Sequence, residues 1–274
     1  MVHKFILALA LTLTLLIGAY AGNRRPLKSQ SPPITINSSV PRTTKPLIVL
    51  YTTSGCSNCR VWETALYRAL FGLHQYVTFT PQFYFQKTND LTSYCLSTQL
   101  DPSLCPKIYS YYGYNSVDSC RTGLQQKFTS CLDPRNYLTF PSSNNTYYTS
   151  RSRTVASQNL RFLCAKTLLS SQTWWQFYLS TVNSCDPSDF DTCWPQKLTE
   201  LSENPNLVVT CFNNQSQSLL KNQLDFINKN PHLSLPSLLI NGSPVELTQD
   251  LANPVALRSI ICNSFINPPA ACEP

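Results

Sequence analysis

Of the chain's 274 residues, 42% are hydrophobic and 11% aromatic, enough to fill a sizeable core, while only 13% are charged. This composition excludes a highly charged disordered polymer. The formal charge of +7 is spread too thinly for a nucleic-acid stripe, Arg24-Arg25 and Arg151/Arg153 being the nearest approach to clusters and reading as solvated loops.

His3 and Lys4 precede an apolar run from Phe5 to Ile17, and Ala19-Tyr20-Ala21 fits a small-x-small cleavage pattern. Residues 1–21 therefore read as a cleaved signal peptide, because the run falls short of the roughly 20 apolar residues of a membrane span. No later stretch is apolar enough to cross a bilayer. The expected location is secreted, or the secretory or endolysosomal lumen. Twelve cysteines in that compartment suit six disulfides. With His74 and His232 the only histidines past the signal, a mixed cysteine–histidine zinc site is poorly supplied, and neither metal nor cofactor is expected. Gly22 to Lys45, rich in Ser, Pro, Thr and Asn, reads as a flexible lead-in. Residues 46–274 then form one domain.

That domain opens with a strand at about Pro46 to Thr52, followed by Cys56-Ser57-Asn58-Cys59 and an amphipathic helix from about Asn58 to Leu73. A strand that delivers two cysteines to a helix start is the build of a thioredoxin-type site, where the helix N-terminus stabilises a thiolate on the first cysteine. Such a pair can also bind zinc. Val77 to Phe85 reads as a second strand. An insertion at about 87–230 follows. Its first part carries Cys95, Cys105, Cys120 and Cys131 among short segments, with Pro141 to Ser152 as an exposed loop. From Ser157 to Asn230 the pattern is helical, and Trp174-Trp175 reads as core. Leu235-Pro236 reads as a tight turn with a cis bond facing the cysteine pair. It feeds a hairpin of Ser237–Ile240 and Val245–Leu247 through Asn241-Gly242, and a last helix covers about Pro254 to Phe265. The order predicts an α/β fold, bordering on α+β: thioredoxin-like, with a large, disulfide-rich, mainly helical insertion. Short loops favour the pairs Cys185–Cys193, Cys262–Cys272 and Cys95–Cys105, leaving Cys120, Cys131, Cys164 and Cys211 unassigned. Sequons at Asn37, Asn144 and Asn214 are candidate glycosylation sites, whereas Asn241 sits in the hairpin, where a glycan is hard to attach.

Several separate motifs resemble the lumenal region of plant-type vacuolar sorting receptors. They are Cys131-Leu132-Asp133-Pro134, Gln158-Asn159-Leu160-Arg161 with Cys164, Trp174-Trp175, Leu235 to Asn241, Ile261 to Phe265, and Pro269 to Pro274. The resemblance covers about Pro46 to Pro274 and implies a thioredoxin-like domain that binds cargo proteins. The chain departs from that family in lacking its protease-associated domain, EGF-like repeats, span and cytosolic tail, and in having one residue fewer between Cys56 and Cys59. A weaker resemblance, to lysosomal thiol reductases, rests on the CxxC, the Pro-x-x-x-x-Asn-Gly strand and a late helical cysteine.

Two functions follow. The resemblance favours a lumenal binding domain that interacts with lumenal or secreted proteins and peptides, not nucleic acid. The alternative is a thiol–disulfide oxidoreductase in which Cys56 attacks, Cys59 resolves and Pro236 shapes the substrate groove. The minimal loop that Cys56–Cys59 would close makes it a weak staple, which argues for a redox role.

Overall fold

All but the first of the residues of β1 (Leu47–Thr52) are buried, as expected of a strand covered on both faces. The structure, a computed structural model, describes residues 40–140 and 146–273. The expected signal peptide, the lead-in up to residue 39, and the sequons at Asn37 and Asn144 lie outside the described residues.

β1 leads through the cysteine loop into α1 (Cys59–Ala69), whose buried face carries Cys59, Glu63, Leu66 and Ala69. α1 ends earlier than expected, where the chain turns through Gly72 at φ 75°. β2 (Thr78–Phe83) then pairs parallel to β1, with Ile48 opposite Phe79 and Thr52 opposite Phe83. Much later, β5 (Ser237–Ile240) pairs antiparallel on the other side of β1, placing Ser237 opposite Tyr51. The hairpin closes sooner than expected. β6 is Ser243–Val245, because Asn241 and Gly242, both at positive φ, make a two-residue turn after which pairing resumes at once. α9 (Pro254–Asn263) packs against α1. The strand order β2-β1-β5-β6, with a parallel first pair and an antiparallel second half, is a thioredoxin-like fold with a helical insertion.

The insertion has two parts. The first contains β3 (Gln86–Thr88), α2 (Leu91–Thr98), the single turn α3 (Cys105–Ile108), α4 (Val117–Cys131) and β4 (Tyr147–Thr149). β3 and β4 pair antiparallel, so part of the segment expected as an exposed loop is a strand. The second part is helical: α5 (Arg153–Leu168), α6 (Ser171–Ser184), α7 (Phe190–Glu200) and α8 (Pro205–Lys229). α5 and α6 cover the β1–β2 face that carries Ile48, Thr52, Phe79 and Phe83. There Phe79 meets Trp174 and Trp175 at centroid distances of 5.4 and 4.7 Å, and Phe83 meets Phe162 and Tyr178 at 6.0 Å each. α8 covers the opposite face. Phe226 packs on Tyr51, and the Gln223 carbonyl accepts from the Phe83 N–H at 2.7 Å.

Every cysteine is paired: Cys56–Cys59, Cys95–Cys131, Cys105–Cys120, Cys164–Cys211, Cys185–Cys193 and Cys262–Cys272. The expected Cys95–Cys105 pair is absent. α2 packs on α4, which brings Cys95 to Cys131, while α3 lies along α4 with Cys105 against Cys120 and Leu124. Helix packing thus overrides loop length.

Residues 40–45, counted with the flexible lead-in above, are tied down. The Thr43 N–H donates to the Ser264 carbonyl, and the Ile266 N–H to the Thr43 carbonyl, each at 2.9 Å. The Asn241 amide accepts from the Leu47 N–H at 2.7 Å and donates to the Pro41 carbonyl. Asn214 is exposed on α8. Among the described residues, no helix is long and apolar enough to cross a membrane.

Candidate active site

The disulfide sits where β1 hands over to α1. Ser237 lies opposite Tyr51, so the preceding Pro236, which follows a cis bond from Leu235, stands beside the start of the cysteine loop. Cys56 and Cys59 are joined with their Cα atoms 5.3 Å apart. Cys59 is the first residue of α1, and its backbone N–H donates to the Cys56 Sγ at 3.2 Å. Asn58 makes no side-chain cap, and the first turn holds no acid, so the positive end of the helix is unopposed. When the disulfide is reduced, that N–H and that helix end favour a thiolate on Cys56. Ser57 and Asn58 are exposed, whereas Cys56 retains 4% of its surface and Cys59 none.

A buried polar network fixes the loop. The Asn159 carbonyl, on α5, accepts from the Ser54 N–H at 3.0 Å, and its amide donates to Thr53 Oγ1 at 3.1 Å and to Ser150 Oγ at 3.0 Å. The two hydroxyls also meet each other at 2.8 Å. Arg151 closes the ring from outside, donating to the Gly55 carbonyl at 3.0 Å from a backbone at φ 69°. A side chain at Gly55 would crowd Val155, since a Cβ there would lie 3.0 Å from its Cγ2. In the sequence Asn159 figured only as part of a family resemblance. The signal that could have found it is the pair Gln158-Asn159 set among Val155, Ala156, Leu160, Phe162 and Leu163 of α5.

Glu63 lies one turn beyond Cys59 on the same helix face and is 1% exposed. Its Oε1 accepts from Tyr178 Oη at 2.6 Å and from Thr52 Oγ1 at 2.5 Å. Burial pushes its carboxyl up to about 7, although those two hydrogen bonds and the Arg60 charge pull it back. Burial, then the neighbouring Glu63 charge, holds the Tyr178 hydroxyl well above its ordinary value. Glu63 was not among the residues singled out from sequence; its place in the buried stripe of α1, at i+4 from Cys59, was the available signal. Among the described residues, no group of His, Cys, Asp or Glu side chains gathers as a metal site.

No protein-family profile matches the chain, and no curated protein does. Similar solved structures include disulfide oxidoreductases. A cytosolic disulfide reductase, DsbM from Pseudomonas aeruginosa, is 10% identical, with 78% of this chain and 96% of that one covered and a TM-score of 0.44. MdbA, a thiol-disulfide oxidoreductase from Actinomyces oris, is 10% identical, with 82% and 83% covered and a TM-score of 0.43. The oxidoreductase NmDsbA1 from N. meningitidis is 11% identical, with 85% and 89% covered and a TM-score of 0.35. The fold assignment rests on strand order and register. The expected kinship with vacuolar sorting receptors is overturned: the neighbours are of another kind, and neither family profile nor curated protein supports it. The physical reason lies in the residues that suggested it. Trp174 and Trp175 are sheet-covering core, Asn159 holds a loop, and Leu235-Pro236 opens a strand, which are roles set by packing rather than by cargo binding.

Proposed function

We propose that the protein is a thiol–disulfide oxidoreductase working through Cys56 and Cys59. The observation that carries this reading is the Cys59 N–H directed at the Cys56 sulfur on an uncapped helix N-terminus. In the oxidised form a substrate thiolate attacks Cys56 Sγ, the Cys56–Cys59 bond breaks, and Cys59 leaves as a thiolate that takes up a proton. A second substrate thiolate then attacks the substrate sulfur of the mixed disulfide, releasing Cys56 as the thiolate that the helix end stabilises. The substrate loses two electrons and becomes a disulfide while the protein becomes a dithiol. The reverse sequence reduces a substrate. Pro236 and the backbone around Leu235 flank the pair and form the wall against which the substrate chain lies. The partners are lumenal or secreted polypeptides, met in the secretory or endolysosomal lumen or outside the cell.

One observation favours a static staple instead: Cys56 is only 4% exposed. Energetics point the other way. With a sequence separation of 3, this bridge removes loop entropy worth about 2 kcal/mol, against about 4 kcal/mol for a bridge closing a loop of nearly fifty residues. Equilibration of the purified protein with glutathione couples, followed by alkylation and insulin-reduction assays on wild type and Cys56→Ser, decides between them. Exchange with glutathione and turnover that vanishes in Cys56→Ser support the oxidoreductase. A pair that stays oxidised through the series, with no turnover, establishes the staple.

A further inference from the structure

Arg151 and Arg153 are exposed, as expected from the sequence. Together with Lys127 of α4 they line a cleft of about 400 Å³ between α4 and the β4–α5 junction, with Tyr94, Asn136 and Tyr137 among its walls. Among the described residues, no Asp or Glu lines this cleft, and none of the three cations is in an ion pair. The two arginines bond to backbone carbonyls, Arg151 to Gly55 at 3.0 Å and Arg153 to Arg135 at 3.3 Å, and the Lys127 ammonium lies 5.9 Å from the centre of the Tyr114 ring. The N-terminus of α5 opens into the same space through Ser152, Arg153 and Thr154, adding its positive end. In a chain with so few charges, three cations without a carboxylate partner along one concavity mark an anion site. The site is coupled to the disulfide: Arg151 holds the carbonyl of Gly55, the residue before Cys56, and Val155 of the same helix packs against that glycine. By contrast, another concavity, about 970 Å³ over α4, includes no residue of the cysteine loop.

We propose that this cleft binds the carboxylates of an acidic polypeptide segment that flanks the substrate cysteine, making the protein selective for acidic substrates. The proposal rests on the exchange reading above. Cations placed beside a reacting centre act chiefly on encounter and specificity, and their effect is screened by salt.

Two measurements separate the proposal from that reading. The first is fluorescence anisotropy of a labelled, cysteine-free Glu-rich peptide and of its Gln counterpart, with wild type and the Lys127→Glu/Arg153→Glu variant. The second is the ratio of kcat/KM for peptide disulfides flanked by Glu against the same disulfides flanked by Gln. The expected results are binding of the Glu peptide that weakens with salt and is lost in the variant, and a ratio on the order of tenfold that falls below one on charge reversal. Equal binding of Glu and Gln peptides, or a ratio of one in wild type, overturns the cleft even if Cys56-dependent turnover stands. Displacement of the peptide by millimolar inorganic phosphate also overturns it, showing a small-anion site. Salt-sensitive peptide binding without any turnover supports the cleft and refutes the oxidoreductase.

Discussion

Replacing Glu63 by Gln should make the folded protein more stable at pH 8 and leave it unchanged at pH 4. The carboxyl has an ordinary value of 4.5 and titrates at about 7 in the folded chain. Between those pH values the folded state keeps a proton that the unfolded state has released, so stability falls as pH rises, and the loss is complete above pH 7. At about 1.36 kcal/mol for each pH unit between the two values, the folded protein forfeits about 3 kcal/mol. The glutamine side chain mimics the protonated acid: its carbonyl can still accept from Thr52 and Tyr178, and it never ionises. Urea unfolding of the oxidised protein at pH 4, 6 and 8, for wild type and E63Q, measures the effect. The two curves should coincide at pH 4 and diverge by about 3 kcal/mol at pH 8. Parallel pH dependence, with a difference at pH 8 no larger than at pH 4, would refute burial of a titrating Glu63 between Thr52 and Tyr178.

Three further outcomes are expected. Removing Cys164–Cys211, with a sequence separation of 47, by double substitution to Ala should cost about 4 kcal/mol in urea unfolding, against about 2 kcal/mol for removing Cys56–Cys59; equal losses would count against a non-structural role for the active-site pair. Asn159→Ala leaves the Ser54 N–H without its partner and the Thr53 and Ser150 hydroxyls with only each other, and should cost about 2–3 kcal/mol, with faster reduction of Cys56–Cys59 by dithiothreitol, measured by thiol trapping. Asn241→Ala removes the clamp on Pro41 and Leu47 and should open residues 40–46 to limited proteolysis, read by mass spectrometry, while Asn214→Ala should not.

What was legible in the sequence was whatever depends on local pattern. The unbroken apolar run of β1, the helical spacing behind Cys59 and the Asn-Gly turn each report on their own neighbourhood, and together they place the thioredoxin-like core. The limits appear where distant segments meet. Cys95 lies closer along the chain to Cys105 than to Cys131, and only the packing of α2 on α4 reverses the choice. Tyr147–Thr149 lacks the length to announce a strand, and it becomes one because β3 offers an edge. Glu63 and Asn159 looked like ordinary polar positions on helices, since their burial is imposed by α6 and by the cysteine loop. Arg151 and Arg153 are exposed as they looked, but their cleft was not legible because Lys127, which completes it, is on another helix.

The disulfides form a laminar diagram: two bridges lie within two others, and no arc crosses another. No arc spans the stretch from Leu132 to Leu163. A single backbone cleavage there would therefore leave two fragments with no covalent link, each with its cysteines fully matched. β1 would be on one and β5 on the other, so the central sheet would survive only as a complex between them, held by the pairing of Ile48 to Tyr51 with Ser237 to Ile240. The candidate site would be divided in the same way, with the cysteine pair on the first fragment and Pro236 on the second.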